Sequence, residues 1–338
     1  MKRVFVFMGM AAVALMLLAG PVLADWAQPQ LLVSADEVEK NLSKPDWVVV
    51  DCRKLEEYAK GHIPGAISFG KNCKDALRDA TSRVFTSAAK YEGLVGKAGI
   101  GNATHVVFYG EMKSKSLDDA SVAFWVFEYL GHTDKTHVLN GGLEAWSKAG
   151  KKLDAQPTIK PASTFKVKVA KNRIATTEEV LTIAKGQVKG VQLIDSRNKK
   201  EYSGEDIRSI RGGRIPNCTL NVPHEDTYDQ VKDPATGKDK STGMLSFERV
   251  AKIYEALDKN KRTIAYCQTG SRSTLTYLEM RMLGFKDPSN YDDSWIIYSV
   301  NEKFPVEEEQ RIDLSRIKNL EDDVKKLKEQ LKAQDEKH

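Results

Sequence analysis

The stretch Thr263-Ile264-Ala265-Tyr266-Cys267-Gln268-Thr269-Gly270-Ser271-Arg272-Ser273-Thr274 decides the fold. Its apolar, β-branched and aromatic start reads as a short buried strand, and Ser273 to Leu283 reads as a helix. Cys267 therefore opens a tight strand-to-helix loop. With Gly270 allowing close turns, successive N–H groups of such a loop can face inward at the helix N-terminus and form a nest for negative charge. The same field lowers a thiol pKa, so Cys267 is expected to be a reactive thiolate. The competing reading is a buried structural cysteine, packed as a small apolar group. Arg272 either closes the nest or turns outward to an acid.

At 338 residues the chain exceeds most single cores, so two domains are expected. Charged residues at 29% and hydrophobic ones at 41% are ordinary for a soluble globular protein. The start is not. Met1-Lys2-Arg3 is a positive n-region, Val4 to Leu18 an uncharged apolar run, and Val22-Leu23-Ala24 ends in the small residue a signal peptidase takes. Residues 1–24 are thus expected to be a signal peptide, Asp25 the mature N-terminus, and the protein periplasmic or secreted and soluble, with an uncleaved anchor as the lesser alternative.

Removing Lys2 and Arg3 takes the formal charge from +5 to +3, and no basic stripe carries interleaved aromatics, so nucleic acid is not an expected partner. Cys52, Cys73, Cys218 and Cys267 form no C-x-x-C pair, and no His/Cys cluster has zinc spacing, so no metal is expected. A Cys52–Cys73 disulfide is compatible with an oxidising compartment, but spacing alone does not decide connectivity.

From residue 25 to 150 short apolar strands alternate with helices. Ser34 to Glu37 has the form of a capping box, and Trp47 to Asp51, a strand at Ile67, His105 to Tyr109 and His137 to Leu139 read as strands. Ala120 to Leu130 and Leu143 to Lys148 read as helices, with Trp146 under the sheet. This alternation predicts a parallel sheet covered by helices on both faces. Residues 151–172 are lysine-rich, contain Pro157 and Pro161, and read as a linker with a strand at Phe165 to Val169.

Residues 173–308 repeat the first unit. Asp51-Cys52-Arg53 answers to Asp195-Ser196-Arg197, Glu57-Tyr58 to Glu201-Tyr202, Gly61-His62-Ile63-Pro64 to Gly213-Arg214-Ile215-Pro216, and Leu139-Asn140-Gly141-Gly142 to Tyr291-Asp292-Asp293-Ser294. The copies differ at the decisive place, where the first has Gly110 and the second Cys267. Residues 309–338 leave the repeat. Leu314, Ile317, Leu320, Val324, Leu327 and Leu331 recur at threes and fours, a heptad-like helical tail that either docks on its own domain or pairs in an oligomer.

Together the strand-Asp-x-Arg with Glu-Tyr, the Gly-His-Ile-Pro-Gly-Ala turn, Leu-Asn-Gly-Gly-Leu-x-x-Trp and the cysteine loop resemble the rhodanese (sulfurtransferase) family in its tandem form, over Val33 to Trp295. The resemblance implies two α/β rhodanese-like domains, the first inactive and the second carrying a cysteine that cycles through a persulfide held by loop amides. The related phosphatases resemble Cys-x5-Arg, whereas Cys267 to Arg272 is the shorter Cys-x4-Arg, which suits a terminal sulfur better than phosphate. The implied reaction moves sulfane sulfur from thiosulfate, polysulfide or a persulfide to a thiol or cyanide, with Cys267 catalytic, no cofactor, and Gln268, Thr269, Gly270, Ser271, Arg272 and Arg214 around the substrate. Arg208 and Arg211 lie on the same approaching segment as Arg214, while Arg197, matched by Arg53 in the other copy, reads as structural.

Thiosulfate-specific members resemble a loop with basic residues directly after the cysteine, where Gln268 and Thr269 are neutral, so the donor stays open. Arg214 replaces the family histidine of its turn. The alternative function is an exported persulfide carrier or scaffold that delivers sulfur to a protein acceptor with little turnover alone.

Overall fold

The structure, a computed structural model, describes residues 25–112, 117–234, 236, 237, 239–312 and 314–335. The expected signal peptide, 1–24, lies outside the described residues.

The first half forms a five-stranded sheet in the order Leu32–Val33, Thr136–Leu139, His105–Tyr109, Trp47–Asp51, Ile67–Ser68. All its pairings are parallel. Parallel strands need crossover helices, and these cover both faces: Val48, Val50, Val106 and Phe108 pack in one core, Val49, Val107 and Tyr109 with Trp146 in the other. The capping box stands as expected, with Glu37 N–H donating to Ser34 Oγ and Ser34 N–H to the Glu37 carboxylate.

The second half repeats the architecture in the order Ile174–Ala175, Asp287–Tyr291, Arg262–Tyr266, Gln192–Asp195, Leu220–Asn221, again all parallel. Leu193, Ile264 and Tyr266 face one core and Ile194 and Ala265 the other. Two features set the second half apart, the second of them reduced in the first half to one antiparallel bridge between His62 and Asp154. An antiparallel hairpin, Tyr228–Lys232 with Asp239–Met244, reaches the first domain, where Met244 N–H donates to Asn140 Oδ1 at 3.1 Å. Glu307–Arg311 pairs antiparallel with Arg211–Arg214 and hands the chain to the helix Leu314–Asp335.

The strand expected at Phe165 to Val169 is absent. That segment is a strap along the first domain: Phe165 is buried against Phe127 and His132, and the N–H groups of Lys168 and Ala170 donate to Leu130 and Tyr129 carbonyls. Helix ends and side chains satisfy its backbone, so no ladder forms.

The domains meet along the helices Leu117–Tyr129 and Ser273–Met282. Ser121 Oγ and Thr274 Oγ1 lie 2.8 Å apart, and the buried Glu128 carboxylate accepts from Tyr277 and, at 2.7 and 3.0 Å, from Arg281. The helix that starts at the cysteine loop is therefore held by the other domain. No helix among the described residues is long and apolar enough to cross a membrane.

Candidate active site

Strand Arg262–Tyr266 ends directly before Cys267, and helix Ser273–Met282 begins six residues later. The loop between them is fixed from below by the turn after the neighbouring strand. Cys267 N–H donates to Ser294 Oγ at 3.1 Å, and the Cys267 and Gln268 carbonyls accept from Trp295 and Ile296 N–H at 3.0 and 2.9 Å. Asn290 Nδ2 donates to Gly270 O at 3.1 Å. Gly270 is at φ +75°, where a Cβ would sit 2.5 Å from Asp292 O, so only glycine fits both the turn and the contact.

With the loop carbonyls engaged, its amides are left over. Among the described residues the N–H groups of Gln268, Thr269, Gly270, Ser271 and Arg272 donate to no protein oxygen, and the helix has no side-chain N-cap. A short helix start with unsatisfied donors favours an anion at its mouth.

Cys267 is fully buried, yet its thiol pKa is lowered. Burial alone would raise it; the Arg272 guanidinium and hydrogen bonds from Ser273 and from the Thr269 and Ser273 backbones outweigh that cost. The Ser273 hydroxyl lies 3.5 Å from Sγ and also 2.6 Å from Asn290 Oδ1. Cys218, the other free cysteine, is pushed up to about 12 by burial and has no such field. Of the two free thiols among the described residues, Cys267 is the one whose surroundings favour the thiolate.

Arg272 turns outward to an acid. Its two terminal nitrogens each donate to the buried Glu201 carboxylate at 2.7 Å, and Arg208 shares Glu201 at 3.3 Å. The Glu201 pKa is lowered: burial would raise it, and the Arg272 pair prevails. Gln268 lies across the loop with Nε2 donating to Arg208 O at 2.9 Å, which leaves its buried Oε1 with no partner among the described residues.

Arg214 lies outside this shell. It pairs with Glu307 at 3.0 Å and stacks on Tyr202, as His62 stacks on Tyr58 in the first half. The arginine thus fills the histidine's place by covering the same tyrosine face. Arg211 is buried against the Ser299, Asn301 and Phe304 carbonyls. Arg197 is locked to Asp195 and Gly213 O, as Arg53 is to Asp51 and Gly61 O, a structural pair in both copies.

Three residues outside the sequence reading complete the loop's surroundings. Arg78, from the first domain, is fully buried and donates to Ser271 Oγ at 2.8 Å, Thr269 O at 2.8 Å and Asp292 Oδ1 at 2.6 Å. Asp292 also accepts from Val84 N–H, and Asn290 orders Ser273 and Gly270. Asp292 had a signal, since the repeat aligned it with Asn140. Arg78 had none, because its segment has no repeat partner.

The repeat is geometric as well as sequential. Leu143 N–H donates to Gly110 O at 2.9 Å as Trp295 donates to Cys267, and Gly142 at φ +56° matches Ser294 at φ +51°. Gly110 stands where Cys267 stands. In that copy Met112 N–H is taken by the Glu144 carboxylate at 3.0 Å. Cys52, the counterpart of Ser196, is disulfide-bonded to Cys73.

The sequence profile of the rhodanese-like domain matches residues 34–149 and again 177–297. The chain is 34% identical over 294 residues to a Mycobacterium tuberculosis protein named "Putative thiosulfate sulfurtransferase", covering 83% of this chain and 99% of that one. It is 30% identical over 299 residues to the thiosulfate sulfurtransferase of Corynebacterium glutamicum, covering 85% and 93%. Among solved structures, SseA of Escherichia coli, a 3-mercaptopyruvate sulfotransferase with the rhodanese fold, superposes with TM-score 0.66 at 22% identity over 79% of this chain and 99% of that one. Two matched domains, sulfurtransferase relatives aligned almost end to end and a shared fold lead to one conclusion: the chain is a tandem-domain member of the rhodanese family, a rhodanese-type sulfurtransferase.

Proposed function

We propose that this enzyme transfers sulfane sulfur through a persulfide on Cys267, in the second domain, while the first domain, with Gly110 in the equivalent place, performs no thiol chemistry. The observation that carries the reading is the pairing of a thiol of lowered pKa with a ring of amides that donate to no protein oxygen among the described residues, the Thr269 amide turning to the Cys267 sulfur itself. Cys267 thiolate attacks the outer sulfur of the donor, the donor's S–S bond breaks, and the leaving group (sulfite, for thiosulfate) departs with the electron pair. The terminal sulfur then carries the negative charge, which the Gln268 to Arg272 amides stabilise. A thiolate or cyanide attacks that sulfur and Cys267 thiolate is regenerated, so the cycle is redox-neutral.

Arg272 supplies field rather than contact, since Glu201 holds it. Arg208, half-exposed, bonded through its carbonyl to Gln268 and held to Glu201 by a longer contact of 3.3 Å, is a cation among the described residues that can meet an anionic donor. The orphan Gln268 Oε1 suits a donor or acceptor with a proton to give. Export fits a buried disulfide, because such bonds persist in oxidising compartments.

The experiment is intact-protein mass of wild type and Cys267→Ser after thiosulfate, polysulfide or mercaptopyruvate, followed by cyanide. Wild type should gain sulfur that cyanide removes, and the variant none. Sulfur that loads once but leaves only to a protein partner would favour the carrier reading, and no loading from any donor would defeat both.

A further inference from the structure

We propose that helix Leu314–Asp335 joins two copies of this chain as a parallel, in-register, two-stranded coiled coil. Ile317, Leu320, Val324 and Leu327 lie on this helix between 42% and 62% exposed, so the chain's own domains do not cover them. Their spacing alternates three and four, and with Leu331 places Ile317, Val324 and Leu331 at a and Leu320 and Leu327 at d. Two of the three a positions, Ile317 and Val324, are β-branched and both d positions are leucine, the combination that favours two parallel strands.

The flanking charges select the same partner. By sequence register Arg316 and Asp323 occupy g, and Glu321 and Lys328 occupy e. In a parallel dimer each g position meets the e position five residues on in the other helix, which pairs Arg316 with Glu321 and Asp323 with Lys328, twice each. The antiparallel register that uses all four described apolar positions would set Asp323 against Asp323 and Glu321 against Glu321. A second copy is therefore complementary in shape and charge. Three heptads are near the lower limit for a coiled coil, so dimerisation should be concentration-dependent. Glu307–Arg311, paired to Arg211–Arg214, ties the helix to the second domain, so the dimer would yoke two Cys267 sites from the same end.

The test is sedimentation equilibrium of residues 25–338 over a wide concentration range, beside Val324→Glu/Leu327→Glu, whose sites are exposed and whose fold is not at stake. Wild type should reach twice the monomer mass and the double variant stay monomeric. Asp323→Lys should weaken the dimer tenfold or more, and adding Lys328→Asp should restore it. Leu320→Cys in a Cys267→Ser background should crosslink spontaneously, because d positions face each other only in the parallel register. A wild-type monomer at every concentration would overturn the proposal and leave the stripe to a different protein. A dimer that survives Val324→Glu/Leu327→Glu would place the interface elsewhere, and absence of both the crosslink and the charge rescue would refute the parallel arrangement.

Discussion

Arg78 and Asp292 form a fully buried ion pair across the domain boundary, Nη2 to Oδ1 at 2.6 Å, while the same guanidinium holds the Thr269 carbonyl and the Ser271 hydroxyl. The first domain, with Gly110 at the equivalent place, thus positions the loop that carries Cys267. Asp292 carries the cost of this burial: desolvation raises its pKa and the Arg78 charge opposes the rise.

Arg78→Ala should destabilise by about 3–5 kcal/mol, the usual loss when one partner of a buried pair is removed. Sulfur transfer should fall at least tenfold under conditions where the variant is still folded, and Arg78→Lys should recover part of the stability but little of the forked contact to Thr269, Ser271 and Asp292. Urea titration beside steady-state cyanide assays checks both. Unchanged turnover in a folded Arg78→Ala would remove the positioning role.

Arg272→Ala should shift the Cys267 thiolate midpoint upward, because burial raises the thiol pKa and the Arg272 charge is the largest opposing influence. The pH dependence of thiolate ultraviolet absorbance reads this directly. Loss of the cation also leaves the buried Glu201 with the longer 3.3 Å contact to Arg208 as its ion pair among the described residues, so stability should drop in parallel.

Gly270→Ala would push a Cβ to 2.5 Å from Asp292 O at a φ of +75°, straining both loop and turn. We expect activity to fall by tenfold or more with a stability loss of about 1–3 kcal/mol. Wild-type persulfide loading in this variant, measured by mass, would show that the loop tolerates a wider turn.

Glu279 lies fully buried beside Tyr254 and its pKa is pushed up to about 7 by desolvation, against an ordinary 4.5. Below about 4.5 both folded and unfolded states hold the proton. Between about 4.5 and 7 the unfolded chain releases it and the folded chain keeps it, so stability falls with rising pH, by up to about 3 kcal/mol, and then levels off. Glu279→Gln should flatten that slope in denaturant titrations from pH 5 to 8. A wild-type slope retained in the variant would assign the pH dependence to another group.

Cys52–Cys73 closes a loop across 21 residues, worth about 3 kcal/mol in chain entropy. Cys52→Ser should lower the melting temperature and leave the kinetics of Cys267 alone, since serine already serves at the equivalent Ser196.

Much of the fold was legible because it rests on local pattern. Apolar runs such as Trp47–Asp51 and Arg262–Tyr266 announce strands buried on both faces, and the repeated Asp-x-Arg and Glu-Tyr pairs announce the same unit twice. The misread linker strand shows the limit: Phe165 to Val169 has the composition of a strand, but a strand exists only where a partner offers a ladder, and here helix ends took its hydrogen bonds.

The sequence by itself determined the tandem α/β architecture, the loop at Cys267 and the glycine at its turn, since these follow from periodicity and from the backbone freedom of one residue. Only the tertiary structure decided the charges around that loop. Arg272 went to Glu201, Arg214 to Tyr202 and Glu307, and Arg78, nearly two hundred residues from Ser271, came to hold the loop. Ion pairs between long flexible side chains carry no spacing rule, and burial sets their worth, so they exist only once packing has brought the domains together.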